Sequence, residues 1–173
     1  MITQILKDHG YMDRLHEISK LDGMFTKVGF PGKGRLRRGD SSDKKQVDDM
    51  SEIIKIAATH EFGAPSHNIP ERSFLRTAYD ENFTALQEFK KSRFALVVTG
   101  KLTAKQAFAQ IGEWFTNKVK EKIRSNIPPP NSEKTIARKS SSRKRTSNSS
   151  SRTLIDTAQM LNSVQHVEGS RDE

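Results

Sequence analysis

Cysteine is absent from this chain, which excludes disulfides, thiolate metal sites and a cysteine nucleophile in one step. Stability has to come from packing, and from partner subunits where they exist. Apolar residues are also scarce, at 33% of 173 residues with a mean hydropathy of -0.74. A chain of this length suits one domain with an extended appendage, and its polarity is concentrated in two stretches. No apolar run approaches the roughly 18 residues that would span a bilayer. The opening MITQILKDHG lacks a basic region followed by an apolar one. A soluble cytoplasmic protein with no membrane partner is therefore expected. Phosphate-binding glycine loops, G-x-S-x-G and the dinucleotide glycine pattern are all missing, and no acid/base pair stands out among the carboxylates. An enzyme is disfavoured, and no cofactor is expected.

Acidic residues run short in one place. Residues 124–152 hold eight cations, including Arg138, Lys139, Arg143, Lys144 and Arg145, against the single acid Glu133. That segment carries +7 of the formal net charge of +9, so the rest of the chain is close to neutral.

Taken in order, residues 3–21 have apolar groups at Met12, Leu15 and Ile18 and predict a short helix. Residues 24–30 partly alternate and end at Pro31-Gly32, which predicts a strand. Residues 32–50, with Arg35, Arg37 and Arg38 among glycines and aspartates, cannot bury enough apolar surface to offset their ordering entropy and read as a solvated loop. Ser51 reads as a helix N-cap with Glu52 in the first turn. The helix it opens is apolar on most sides (Ile53, Ile54, Ile56, Ala57, Ala58, Phe62) and belongs in an interior or at a subunit interface. Gly63 ends it, and Pro65 and Pro70 bracket a loop. A long amphipathic helix is expected from Glu71, carrying Phe74, Leu75, Ala78, Tyr79, Phe83, Leu86 and Phe89 and continuing through 94–98. Thr103 caps another, and the two should form an antiparallel pair across Gly100. Pro128, Pro129 and Pro130 impose an extended spacer. The basic, serine-rich segment 131–152 reads as disordered or as an arm that folds on contact. Order returns at 153–161, and a final strand at 162–167 is placed beside Val28. The fold class expected is α+β, a small antiparallel sheet on a long helix pair, all within one domain spanning 1–173.

His60-Glu61 resembles the start of a zinc-protease motif, but position 64 is Ala where a second histidine is required. His67 and Glu61 leave too few ligands for a tetrahedral site, so no metal is expected. The basic arm has serine donors and no aromatic residue between 124 and 152, which suits sequence-blind phosphate contact and not base stacking. A solvated segment kept soluble by its charge accounts for the same composition.

The block HEFG, a short variable loop and then IPERSFLR resembles the signature of neck and tail-completion proteins of tailed bacteriophages. The strand-like KVGFP, the joint GKLTAKQA and the closing LIDTAQMLNSV extend the resemblance over most of the chain beyond Val28. Ala158 departs from it, standing where such sequences usually have glycine, and the basic insertion at 143–151 is longer than expected. The resemblance implies a small α+β virion subunit that closes a ring, commonly a hexamer, at the head-tail junction. Such a ring terminates the tail tube or joins it to the connector, with double-stranded genomic DNA in the lumen. Its partners are then copies of itself and the adjacent neck, connector, tail-tube or sheath proteins. On that basis Ile53, Ile56, Phe62, Ile69, Arg72 and Phe74 are candidates for the subunit interface. Arg35, Arg37, Arg38, Arg138, Lys139, Arg143, Lys144 and Arg145 are candidates for contact with a neighbouring ring or with DNA. The alternative is a nucleic-acid-binding module using the basic arm without sequence preference.

Overall fold

The capping of one helix explains much of the architecture. Thr103 Oγ1 accepts from the Gln106 backbone N–H at 3.2 Å while Gln106 Oε1 accepts from the Thr103 N–H at 3.0 Å, a reciprocal cap that starts α4 (Ala104–Arg124). Ala104, Ala107, Ile111, Val119 and Ile123 recur at helical spacing on α4 and are buried. Lys122 and Arg124 fall in its last turn, where the helix dipole favours cations.

The computed structural model describes residues 10–30, 49–141, 153–154 and 159–171. Within them α4 is central. On one side lies α3 (Leu75–Val98), joined to α4 through a turn in which Gly100 has φ +73°. Cross-pairs run in opposite chain order: Glu81 with Lys122, Phe89 stacked on Trp114, Arg93 with Gln110, Phe94 against Phe108. The pair is therefore antiparallel, as the spacing predicts. On the other side of α4 lies an antiparallel two-stranded sheet of β1 (Met24–Gly29) and β2 (Gln165–Ser170), with Val28 opposite His166. Gly112 lets the sheet lie close against α4, since a Cβ there would stand 2.6 Å from Thr26 Oγ1 and 2.7 Å from His166 Cδ2. The fold is α+β, mostly helical, with a small sheet on a helix pair. Before β1 runs α1 (Tyr11–Gly23), and α2 (Asp49–Phe62) packs chiefly on the short α6 (Gln159–Ser163). The core gathers Ala57, Phe74, Ala78, Val119, Ile123, Ile127, Leu154, Met160, Leu161 and Val164, with the Phe30 ring edge-on to Phe74 at 6.1 Å.

Several boundaries differ from the sequence-based expectation. The first helix begins at Tyr11 after Gly10, whose φ is +78°. α2 starts at Asp49, so Ser51 lies inside its first turn and is not the cap. The long helix starts at Leu75 and not at Glu71, because Arg72 donates its backbone N–H to His60 O at 2.7 Å and holds 71–74 out of the helix. The final strand starts three residues later than expected, since 162–163 complete α6. Part of the supposed arm is ordered: α5 (Glu133–Ser141) is a helix, begun by Ser132, whose Oγ accepts from the Thr135 N–H at 3.4 Å. A local Ser-x-x-Thr start and an acid in the first turn outweigh the polar composition there. In the proline spacer the Pro128–Pro129 peptide is cis. The loop at 32–48, the insertion at 143–151, Ala158, and residues Arg35, Arg37, Arg38, Arg143, Lys144 and Arg145 lie outside the described residues. Among the described residues no helix is long and apolar enough to cross a membrane.

Candidate functional site

The segment from α2 to the start of α3 holds itself together through two buried charged groups. Glu61, only 5% exposed, reaches from α2 to the N-terminus of α3. Its carboxylate accepts from Ser73 Oγ at 2.7 Å, from the Leu75 N–H at 2.9 Å and from the Arg76 N–H at 3.0 Å. Free N–H groups and the positive helix end both favour an anion there. Phe74, at the N-cap position, has no side-chain oxygen to offer, so the cap comes from a different helix. The N-terminus of α4 repeats the device, with Glu17 of α1 accepting from the Ala104 N–H at 2.8 Å. Its hydrogen bonds to Lys20 and to that N–H hold the Glu17 carboxyl below the usual carboxylate range.

Arg72 does the complementary work. Its guanidinium donates from Nε to Pro129 O at 2.9 Å and from Nη2 to Pro130 O at 3.2 Å, tying the α2–α3 junction to the proline spacer. Gly63, with φ +72°, makes the turn between them; a Cβ there would lie 2.9 Å from the Glu71 backbone nitrogen. The loop then closes on itself, Ala64 N–H to Ile69 O at 2.8 Å and Ile69 N–H to Ala64 O at 3.1 Å.

Two concave surfaces flank this junction. The first is an open apolar groove of about 550 Å3 between β1, α2 and α3, lined by Val28, Phe30, Ile54, Phe62, Tyr79 and Phe115 among others. Phe62 is 69% exposed at its rim, with Ile54 and Tyr79 also partly uncovered. The second is a cleft of about 680 Å3 between α2, the 64–72 loop and α5, where Arg72, Lys139, His60 and Thr153 stand among Ile53, Ile56, Ile69 and Met160.

The structure separates the six interface candidates. Ile53 and Phe74 are buried by the chain itself, Phe74 completely, and Arg72 is 6% exposed with its partners inside the chain. These three hold the fold and present little or nothing to a neighbour, which corrects the expectation placed on them. Ile69 is half-buried, while Ile56 and Phe62 are exposed and keep their candidacy. Lys139, expected on an arm that is disordered or folds on contact and that meets a neighbouring ring or DNA, is instead buried at 6% exposure in the same cleft as Arg72. Arg138 lies one position before it in α5. From the sequence Glu61 reads as a doubtful metal ligand or as a residue that caps or pairs locally, and Tyr79 as a core position on an amphipathic helix; neither is among the interface candidates. His60 and His67 do not come together as ligands: His67 is exposed, its Nδ1 3.0 Å from Ser66 Oγ, and no group of three or more metal-ligating residues occurs among the described residues.

Burial first, and then the charges of Arg72 and Lys139, hold the His60 imidazole below its ordinary value of 6.5. The unfolded chain therefore takes up this proton more readily than the folded one. The contribution of His60 to stability is full above pH 6.5 and is lost progressively as pH falls from there toward the folded-state value. Urea unfolding at a series of pH values is expected to show that decline, and His60→Asn to flatten it; parallel curves for the two proteins would contradict the burial of the imidazole.

Compared with known proteins, the chain matches no family model, no curated protein and no solved structure.

Proposed function

We propose that this chain is a structural virion subunit of a tailed bacteriophage, which closes a ring at the head-tail junction and terminates the tail tube or joins it to the head connector. The observation that carries the reading is the uncovered apolar groove beside the HEFG and IPERSFLR segments. Phe62 is 69% exposed, and Ile54 and Tyr79 in the same groove are each more than a third exposed, in a chain with few apolar residues to spare. Clustered exposure of this kind marks an interaction surface. The occupant proposed is a second copy, because a ring of identical subunits repeats one such contact around its circumference. The role is mechanical and needs no cofactor. A field from Arg138 and from the cations at 35–38 and 143–145 would face a neighbouring ring or DNA, without sequence preference.

Electron microscopy of purified tail tubes and connectors incubated with the protein tests this. Rings of the protein on one of the two are expected. A chain that binds neither, and stays monomeric when concentrated, overturns the proposal. The nucleic-acid module is distinguished by titrating duplex DNA at rising salt: a tight complex lost steeply favours the module, and negligible affinity favours the assembly subunit.

A further inference from the structure

We propose that the open edge of β1, with the trough that runs beside it over α3, binds an extended peptide segment of a partner protein, apolar at alternate positions and acidic at the end that meets Lys90. The backbone is the first reason. Arg171 N–H donates to Gly23 O at 2.9 Å, and these two residues stand opposite each other in the register that pairs Met24 with Ser170. Bonded and non-bonded pairs alternate along an antiparallel ladder, so Met24, Thr26 and Val28 turn their N–H and C=O groups away from β2. Among the described residues no backbone bond reaches that edge. An uncovered edge is a template for another strand, and a sheet of only two strands is marginal without further cover.

The second reason comes from side chains and says what fits. An open trough of about 360 Å3 lies along the same strand, lined by residues of β1, α3 and α4 and by none of β2. Tyr79, Leu86 and Lys90 recur at helical spacing on its α3 side, with Phe115 from α4. Tyr79 is 43% exposed, and Phe83, whose ring meets it edge-on at 5.6 Å, is 44% exposed. β1 and β2 both pack on α4, so a strand beside β1 would lie over α3 and cover this stripe. The sheet of a second folded copy cannot enter, because it brings its own α4 beneath its strands to the place that α3 already fills. A bare extended segment has no such layer, and every second side chain of it meets the apolar stripe. Among the described residues no aspartate or glutamate lines the trough, and Lys90 has no hydrogen bond or ion pair, so an acid suits that end. β1 has six residues, about 20 Å of strand, which sets the length of the segment. This edge does not depend on the ring: oligomeric state reports on the ring and amide exchange on the edge, so either can fail alone.

The test is residue-resolved hydrogen exchange of the full chain at low concentration, with and without two capped peptides, Glu-Val-Thr-Val-Thr-Val and its reverse, which cover both strand directions. In the chain alone the Phe25 and Lys27 amides, bonded to β2, are expected to exchange slowly and those of Thr26 and Val28 fast. One of the peptides is expected to slow Thr26 and Val28 saturably, by about tenfold at about 90% occupancy, since only the unbound chain then exchanges. The same peptide N-methylated at every residue keeps its side chains, lacks the donors, and is expected to leave both amides unchanged. Lys90→Glu, checked for folding by circular dichroism, is expected to weaken binding by about fivefold and to regain it when lysine replaces the glutamate of the peptide. Thr26 and Val28 amides as slow as Phe25 and Lys27 in the chain alone overturn the proposal, because the chain then covers its own edge. So does protection that appears on concentrating the chain without peptide, which assigns the edge to a second copy. Equal slowing by the N-methylated peptide, or none by either peptide, overturns it as well.

Discussion

Replacing Glu61 with alanine is expected to destabilise the protein by about 3 kcal/mol, a large fraction of the 5–15 kcal/mol typical of a whole domain. One carboxylate serves three donors: the Ser73 hydroxyl and the first two N–H groups of α3. Its position is 5% exposed, so water cannot replace it fully. Each abandoned buried donor costs about 1–3 kcal/mol, and the helix dipole adds a few tenths to about 1 kcal/mol. Solvent reaching the Ser73 hydroxyl would relieve part of this. Glu61→Gln keeps an acceptor oxygen and loses the charge, so a smaller loss of about 1–2 kcal/mol is expected. Urea unfolding midpoints at an unchanged m-value measure both. A loss below about 1 kcal/mol for the alanine variant would show that Glu61 is not the cap of α3.

Phe74→Ala and Phe62→Ser, twelve positions apart in one motif, are expected to act in opposite ways. Phe74 is completely buried, edge-on to Phe30 in the main core. Its truncation should cost about 3–5 kcal/mol through lost transfer energy and the cavity left behind. The effect on the isolated subunit would be as large as on any assembly. Phe62 is 69% exposed, with the Arg76 guanidinium over its ring at 5.9 Å. Its replacement by serine should leave the unfolding midpoint of the subunit nearly unchanged and remove self-association. Equal unfolding midpoints for the Phe74 variant and the unaltered protein would contradict the core described above.

Much of the fold was legible because its signals are local. Gly63 and Gly100 mark turns with positive φ, Thr103 and Gln106 form a capping box three residues apart, and the α4 face repeats at helical spacing. Val28 and the closing strand could be paired because both read as β-formers. Sequence spacing starts the long helix four residues early because the Arg72 N–H to His60 O bond joins residues twelve apart, which no periodicity reports. The helices that Glu61 and Glu17 cap are not legible for the same reason: each lies far from its helix in sequence, and a carboxylate's composition does not say which end it will meet. The apolar circumference of α2 reads as belonging in an interior or at a subunit interface, without saying which residue goes where. The structure divides it, with Ile53 turned into the chain and Phe62 left at the groove. Lys139 shows the opposite failure, since a basic, serine-rich segment looks solvated although one of its lysines is buried against Arg72's cleft.

The claim that copies of this chain cover each other's grooves is tested most directly by sedimentation velocity of the full chain and of Phe62→Ser, at matched concentrations. The account predicts a closed oligomer for the unaltered protein, of a size that stops growing as concentration rises, and a folded monomer for the variant. A folded monomer for both, or the same oligomer for both, would contradict it.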